Sequence, residues 1–94
     1  MDVGVPCYLV EWYRPALSAE AVAKTAARLR ASAETLSANG IAVRLLTLLS
    51  VPADEVVFGV FTADSAAQVT RTCEGAQMPA QRVTAATDVE FCGP

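Results

Sequence analysis

The chain contains no histidine and a single lysine, Lys24. Histidine titrates near physiological pH and is the commonest metal ligand. Its absence removes the usual base of a serine or cysteine hydrolase, and Lys24 lies on the polar side of a predicted helix, a poor place for a substitute. The imidazole donors that nickel favours are missing as well. Charge is also sparse. Charged residues make up 18% of the chain, the net charge is −3 and the sequence pI is about 4.7. An acidic surface is a poor match for phosphate backbones or anionic membranes, so neither nucleic acid nor membrane is an expected partner. No apolar run approaches the roughly 20 residues that a membrane span needs. The first six residues lack a basic region and carry an early acid, Asp2, so they do not read as a secretory signal. The five glycines are scattered, which excludes a Gly-rich phosphate loop.

Cysteine is scarce too. Cys7, Cys73 and Cys92 are odd in number and show no C-x-x-C spacing. With no export signal, they are expected to be reduced thiols in a cytoplasmic protein. No metal site and no cofactor are expected.

What is present is a small, apolar chain. Ninety-four residues form one domain, with a core over about residues 7–89, and 53% of them are hydrophobic. A chain of this size buries roughly 60–70% of its unfolded surface, enough for a core without staples.

The first predicted strand is Cys7-Tyr8-Leu9-Val10-Glu11-Trp12-Tyr13-Arg14, bounded by Pro6 and Pro15. Alternation puts Tyr8, Val10 and Trp12 on one face and Cys7, Leu9, Glu11 and Tyr13 on the other. Ser18 is the expected cap of a helix reaching about Asn39, with Glu20 in its first turn. The apolar stripe of that helix is Val22, Ala26, Leu29, Ala33 and Leu36, and Asn39-Gly40 ends it. A second strand covers Ile41 to about Ser50, and Pro52-Ala53-Asp54 makes a turn. A third strand runs from Val56 to Thr62. A short helix starts near Asp64 or Ser65 and fades by Gly75, with Ala66, Val69 and Cys73 inward. The last strand runs from Arg82 to about Val89, after the break at Pro79.

This β-α-β-β-α-β order predicts an α+β, ferredoxin-like domain. Its four-stranded antiparallel sheet carries both helices on one face. The central strands are apolar on both sides, yet two helices cover one side only. The uncovered face spans roughly 350–400 Å², judged from strand spacing and rise. A homodimer packed sheet on sheet through Leu9, Leu46, Leu48 and their neighbours is expected, with or without a ligand cavity between the sheets.

Four polar residues are candidates for a small-molecule site on that face: Glu11, Tyr13, Arg44 and Arg82. Strand 4 should lie beside strand 1, bringing Arg82 near Tyr13 and Thr84 near Glu11. Arg44 should lie toward the other end, on an outer strand. Glu11 and Arg82 could form a structural ion pair. Alternatively, Arg82 could bind an anionic or carbonyl oxygen while Glu11 or Tyr13 handles a proton.

The stretches Tyr8-Leu9-Val10-Glu11-x-Tyr13-x-Pro15-x-Leu17-Ser18 and Met78-Pro79-Ala80-Gln81-Arg82-Val83 resemble a family of small, mostly bacterial ferredoxin-like proteins. The family is catalogued as a domain of unknown function and is often labelled nickel-binding. The resemblance covers roughly residues 7–89. It implies a homodimer built on the sheet faces and a metal or small-ligand role. This chain departs from the metal-binding members, which look rich in histidine near the first strand and second helix. Around Thr72 and Cys73, where a histidine would be expected, it has none, and Ala76-Gln77 replaces the usual Ala-Gly before the proline step. The metal role is therefore not carried over.

RNA-recognition domains share this element order. Their stacking aromatics must share a face, whereas Phe58 and Phe61 are three residues apart and point to opposite faces. Two readings of function remain: a dimeric binding or accessory protein, and a cofactor-independent enzyme, monooxygenase- or isomerase-like, with a cavity between the sheets.

Overall fold

A computed structural model describes residues 6–13 and 18–86. The element order is β1 (Cys7–Tyr13), α1 (Ala19–Ala38), β2 (Val43–Val51), β3 (Val56–Ala63), α2 (Ala66–Gly75) and β4 (Arg82–Ala86). The four strands form one antiparallel sheet in the order β2-β3-β1-β4. This is the expected ferredoxin-like α+β arrangement. The expected end of the last strand at Val89, the flanking Arg14 and Pro15, and Cys92 lie outside the described residues.

Helix α1 begins and ends where its sequence says it should. The Ser18 hydroxyl accepts a hydrogen bond from the Ala21 N–H at 3.1 Å, and Glu20 lies in the first turn. At the far end Asn39 caps the helix and Gly40 takes a positive φ of 87°, a conformation that costs glycine little. Ala26, Leu29 and Ala33 are buried, and Leu36 packs beside them. Helix α2 differs in one respect. Val69 and Cys73 are buried as expected, but Ala66 is exposed and Thr72 takes the inward place. The Thr72 hydroxyl is accommodated there because it donates to the Gln68 carbonyl one turn back. The two helices are tied by Ser32 Oγ, which donates to the Thr72 carbonyl at 2.8 Å, and by Arg28, which donates to the Ala76 carbonyl.

The core lies between the helices and one sheet face. Its largest member is Trp12, which is fully buried with Val10, Leu29, Phe61 and Met78. The Trp12 indole N–H donates to the Met78 carbonyl at 2.8 Å. Its ring lies over Gly59 on β3, where a Cβ would sit 3.0 Å from the ring. The glycine is thus needed for close approach.

A β-bulge changes the face assignment in β2. The register steps from Leu45 opposite Phe61 to Thr47 opposite Val60, so Leu46 is the extra residue. Before the bulge Arg44 faces away from the helices. After it, Thr47, Leu49 and Val51 take that face, and Leu48 turns inward over Gly59 to pack on the core. The expectation that Leu46 and Leu48 share the open face requires unbroken alternation, and the bulge breaks it. Leu49, 59% exposed, is the leucine of β2 that the open face presents.

Replacing Gly59 with alanine should force Trp12 off its position. The expected cost is about 1–3 kcal/mol, typical of overpacking a dense core. That corresponds to a fall of several degrees in a thermal melt. An unchanged melting temperature would show that the ring has room to move.

Candidate functional site

Alternation along β1 sends Leu9, Glu11 and Tyr13 to the open face while Val10 and Trp12 enter the core. Across the sheet, Glu11 pairs with Phe58 of β3 on one side and with Arg82 of β4 on the other. Leu9 likewise lies between Val60 and Thr84. The centre of the face is therefore apolar, with Glu11 at its margin toward β4.

Three of the four candidate residues come together. The Tyr13 hydroxyl donates to Glu11 Oε1 at 2.8 Å. Arg82 Nε lies 3.9 Å from Glu11 Oε2. The Glu11 side chain is only 15% exposed, whereas that of Arg82 is 65% exposed. One carboxylate thus receives a phenol on one oxygen and a guanidinium on the other. The ion pair is long and open to solvent on the arginine side, so its contribution to stability is small.

The pairing differs from the expectation by one step along the face. Arg82 stands opposite Glu11 instead of Tyr13, and Thr84 stands opposite Leu9 instead of Glu11. The cause is the segment ahead of β4. The Gln81 N–H donates to the Glu11 carbonyl at 2.9 Å, and the Gln81 side-chain oxygen accepts the Tyr13 N–H at 3.1 Å. Gln81 occupies the place beside Tyr13 and starts the strand two residues further along β1. Its role has no signal in the sequence, since any side-chain amide in a loop looks alike.

Arg44 does not join this cluster. It pairs with Thr62 at the opposite end of edge strand β2, in the row that contains Cys7 and Ala86. The expectation that it lies on an outer strand toward the other end agrees with this placement. It rules out a single four-residue constellation.

The chemistry of the cluster favours binding over proton transfer. The Tyr13 phenol is pushed above its ordinary value of 10.0, chiefly by its hydrogen bond to Glu11, then by desolvation and the Glu11 charge; Arg82 opposes this. An acid or base working at neutral pH is best poised near 7, and Tyr13 moves the other way. It remains a fixed hydrogen-bond donor. Glu11 accepts the Tyr13 hydroxyl and meets Arg82 only as an ion pair at 3.9 Å, which leaves Arg82 as the exposed cation of the group.

Thr72 and Cys73, near which a histidine would stand in the metal-binding members of the resembled family, are both fully buried. Burial pushes the Cys73 thiol up to about 12, so it stays protonated. Among the described residues no group of three His, Cys, Asp or Glu side chains is placed to hold a metal ion.

The Tyr13 titration should respond to Glu11. In a Tyr8→Phe background, ultraviolet titration should show Tyr13 ionising above its ordinary value, and Glu11→Gln should bring it back down. The neutral phenol is favoured in the folded state. Its stabilising contribution is present below pH 10 and is lost as pH rises through the folded value. A Tyr13 midpoint unmoved by Glu11→Gln would show that the hydrogen bond does not persist in solution.

No family model matches the sequence, and no curated protein matches it. Among solved structures, the chain is similar to SCO4226 from Streptomyces coelicolor A3(2), known from a crystal structure analysis. The TM-score is 0.66 at 14% sequence identity, and the match covers 82% of this chain and 90% of the other. At that identity the likeness establishes the ferredoxin-like fold and extends no further.

Proposed function

We propose that the chain is a homodimeric small-molecule-binding protein whose two copies pack open face to open face. Leu9, Phe58 and Val60 form the middle of the contact in this reading. The Glu11–Tyr13–Arg82 cluster forms its polar margin and takes a carbonyl or anionic oxygen of the ligand on Arg82. The observation that carries the reading is the composition of the open face. It joins an apolar centre to one pre-ordered polar group and places Leu49 and Tyr13, the large exposed apolar side chains among the described residues, on the same surface. An apolar patch of several hundred Å² bounded by polar groups is typical of an interaction surface.

The family resemblance of the first strand and of the Met78-Pro79 step supports the same assembly. The direction of the Tyr13 shift supports binding over catalysis. The buried Cys7 and Cys73 suit a reducing cytoplasm, where such thiols persist. No helix among the described residues is long and apolar enough to cross a membrane.

Sedimentation of the full chain at tens of micromolar should give a dimer. Leu49→Glu should give a folded monomer, because its side chain is exposed in the single chain and would place a charge inside the dimer contact. A wild-type monomer at that concentration, or a Leu49→Glu variant that remains dimeric, would overturn the assembly. Loss of ligand capture in Arg82→Ala, with the dimer intact, would locate the ligand at the cluster.

A further inference from the structure

Three charged side chains stand on the open face among the described strand residues: Glu11 on β1, Arg82 on β4 and Arg44 on β2. The first two meet incompletely. Tyr13 donates to Glu11 Oε1, whereas Oε2 accepts no hydrogen bond among the described residues. Arg82 Nε stands 3.9 Å from it, beyond hydrogen-bond distance. A carboxylate only 15% exposed thus keeps an open acceptor. Arg44 is the converse. It is exposed and has no ion pair or side-chain hydrogen bond among the described residues.

The register sets these two groups symmetrically about one residue. Arg44 stands beside Thr62 on one flank of β3, and Glu11 stands beside Phe58 on the other. Val60 lies midway between Thr62 and Phe58, so it marks the centre of the line from Arg44 to Glu11. Strand spacing and rise make that line about 16 Å long, so the two do not meet within one chain.

Two copies packed face to face are related by a two-fold axis lying between the sheets. An axis along the strands sets Arg44 over the partner's Ala86. An axis across the strands sets it over the partner's Val51. Either arrangement leaves the guanidinium against apolar carbon with no counter-charge, an uncompensated burial. An axis through Val60, perpendicular to the Arg44–Glu11 line, instead sets Arg44 over the partner's Glu11. By symmetry it sets Glu11 over the partner's Arg44. The strands of the two sheets then cross at roughly 70°, closer to the orthogonal than to the aligned class of sheet packing. Leu49, beside Phe58 on the β2 flank, falls close to this axis, so the two exposed leucines meet.

We propose, resting on the face-to-face dimer described above, that the second copy completes the Glu11 site. The partner's Arg44 takes Glu11 Oε2 across the two-fold axis, beside Arg82, and the dimer contains two such pairs. The guanidinium fork suits a carboxylate that already holds a phenol on its other oxygen.

The test uses a one-to-one mixture of ¹³C-labelled and unlabelled wild-type chain. Isotope-filtered NOE spectra should show the Arg44 δ protons against the Glu11 γ or Tyr13 ring protons, contacts that one chain cannot make. Charge reversal supplies a second arm, read by sedimentation equilibrium. Arg44→Glu and Glu11→Lys, each alone, should weaken the dimer by about tenfold or more, because like charges then face each other twice. Mixed one to one, they should form a heterodimer tighter than either homodimer. One of its pairs is then wild-type, and the other is reversed but still opposite in sign. Circular dichroism reports whether each variant is folded, and if Glu11→Lys is not, the NOE contact decides. A wild-type monomer would defeat the dimer itself. A wild-type dimer without the NOE contact, or a mixture of folded variants no tighter than its parents, would overturn the cross-axis pair and leave the dimer standing.

Discussion

The arrangement of the open face depends on a bond made on the opposite side of the sheet. Trp12 is fully buried, with its ring against Gly59 and its indole N–H on the Met78 carbonyl. A buried indole N–H left without an acceptor would cost about 1–3 kcal/mol, so the loop carbonyl and the strand are strongly coupled. Met78 is held in turn by its own N–H, which donates to the Cys73 carbonyl at the end of α2. The chain from α2 to β4 is thereby clamped against β1 before the strand begins. Gln81 then bonds Glu11 and Tyr13 through backbone and side chain, and Arg82 follows opposite Glu11. The tryptophan lies in the core, but it determines which residue of β4 meets the carboxylate on the other face.

This coupling follows from strand periodicity. Residues 10 and 12 of β1 enter the core, and residues 9, 11 and 13 between and beside them build the open face. The rigid core and the two Gln81 bonds together position the Glu11–Tyr13 pair. The result is an ordered donor–acceptor group with one accessible cation. The Tyr13 phenol is pushed up, away from the range useful for acid–base work, which is why binding is the better reading of the site. Arg44 lies at the far end of the same face, on edge strand β2 opposite Thr62, and takes no part in the group within one chain.

Much of this was legible in the residues themselves. Ser18 and Asn39-Gly40 marked the ends of α1 because caps are local chemistry, decided by the side chain and the next turn. The parity of β1 was legible for the same reason. The faces of Leu46 and Leu48 are not legible in the sequence because a bulge is set by pairing with β3, and an almost continuously apolar strand gives no alternation to reveal it. The register of β4 was off by one step because Gln81, a neutral loop residue, supplies two bonds that only the assembled sheet can accommodate. Thr72 does not read as an inward residue, yet its hydroxyl is satisfied by its own helix, a local solution that allows a polar residue into the core.

The most direct measurement is hydrogen exchange at the Gln81 amide in the wild type and in Trp12→Phe. Phenylalanine keeps most of the apolar volume and removes the indole donor. Protection of Gln81 and Met78 should fall much more than that of the paired amides of β2 and β3, since the clamp is lost while the far side of the sheet is kept. Equal loss across the whole sheet, or unchanged protection at Gln81, would contradict the role assigned to the Trp12–Met78 bond in setting the register of the site.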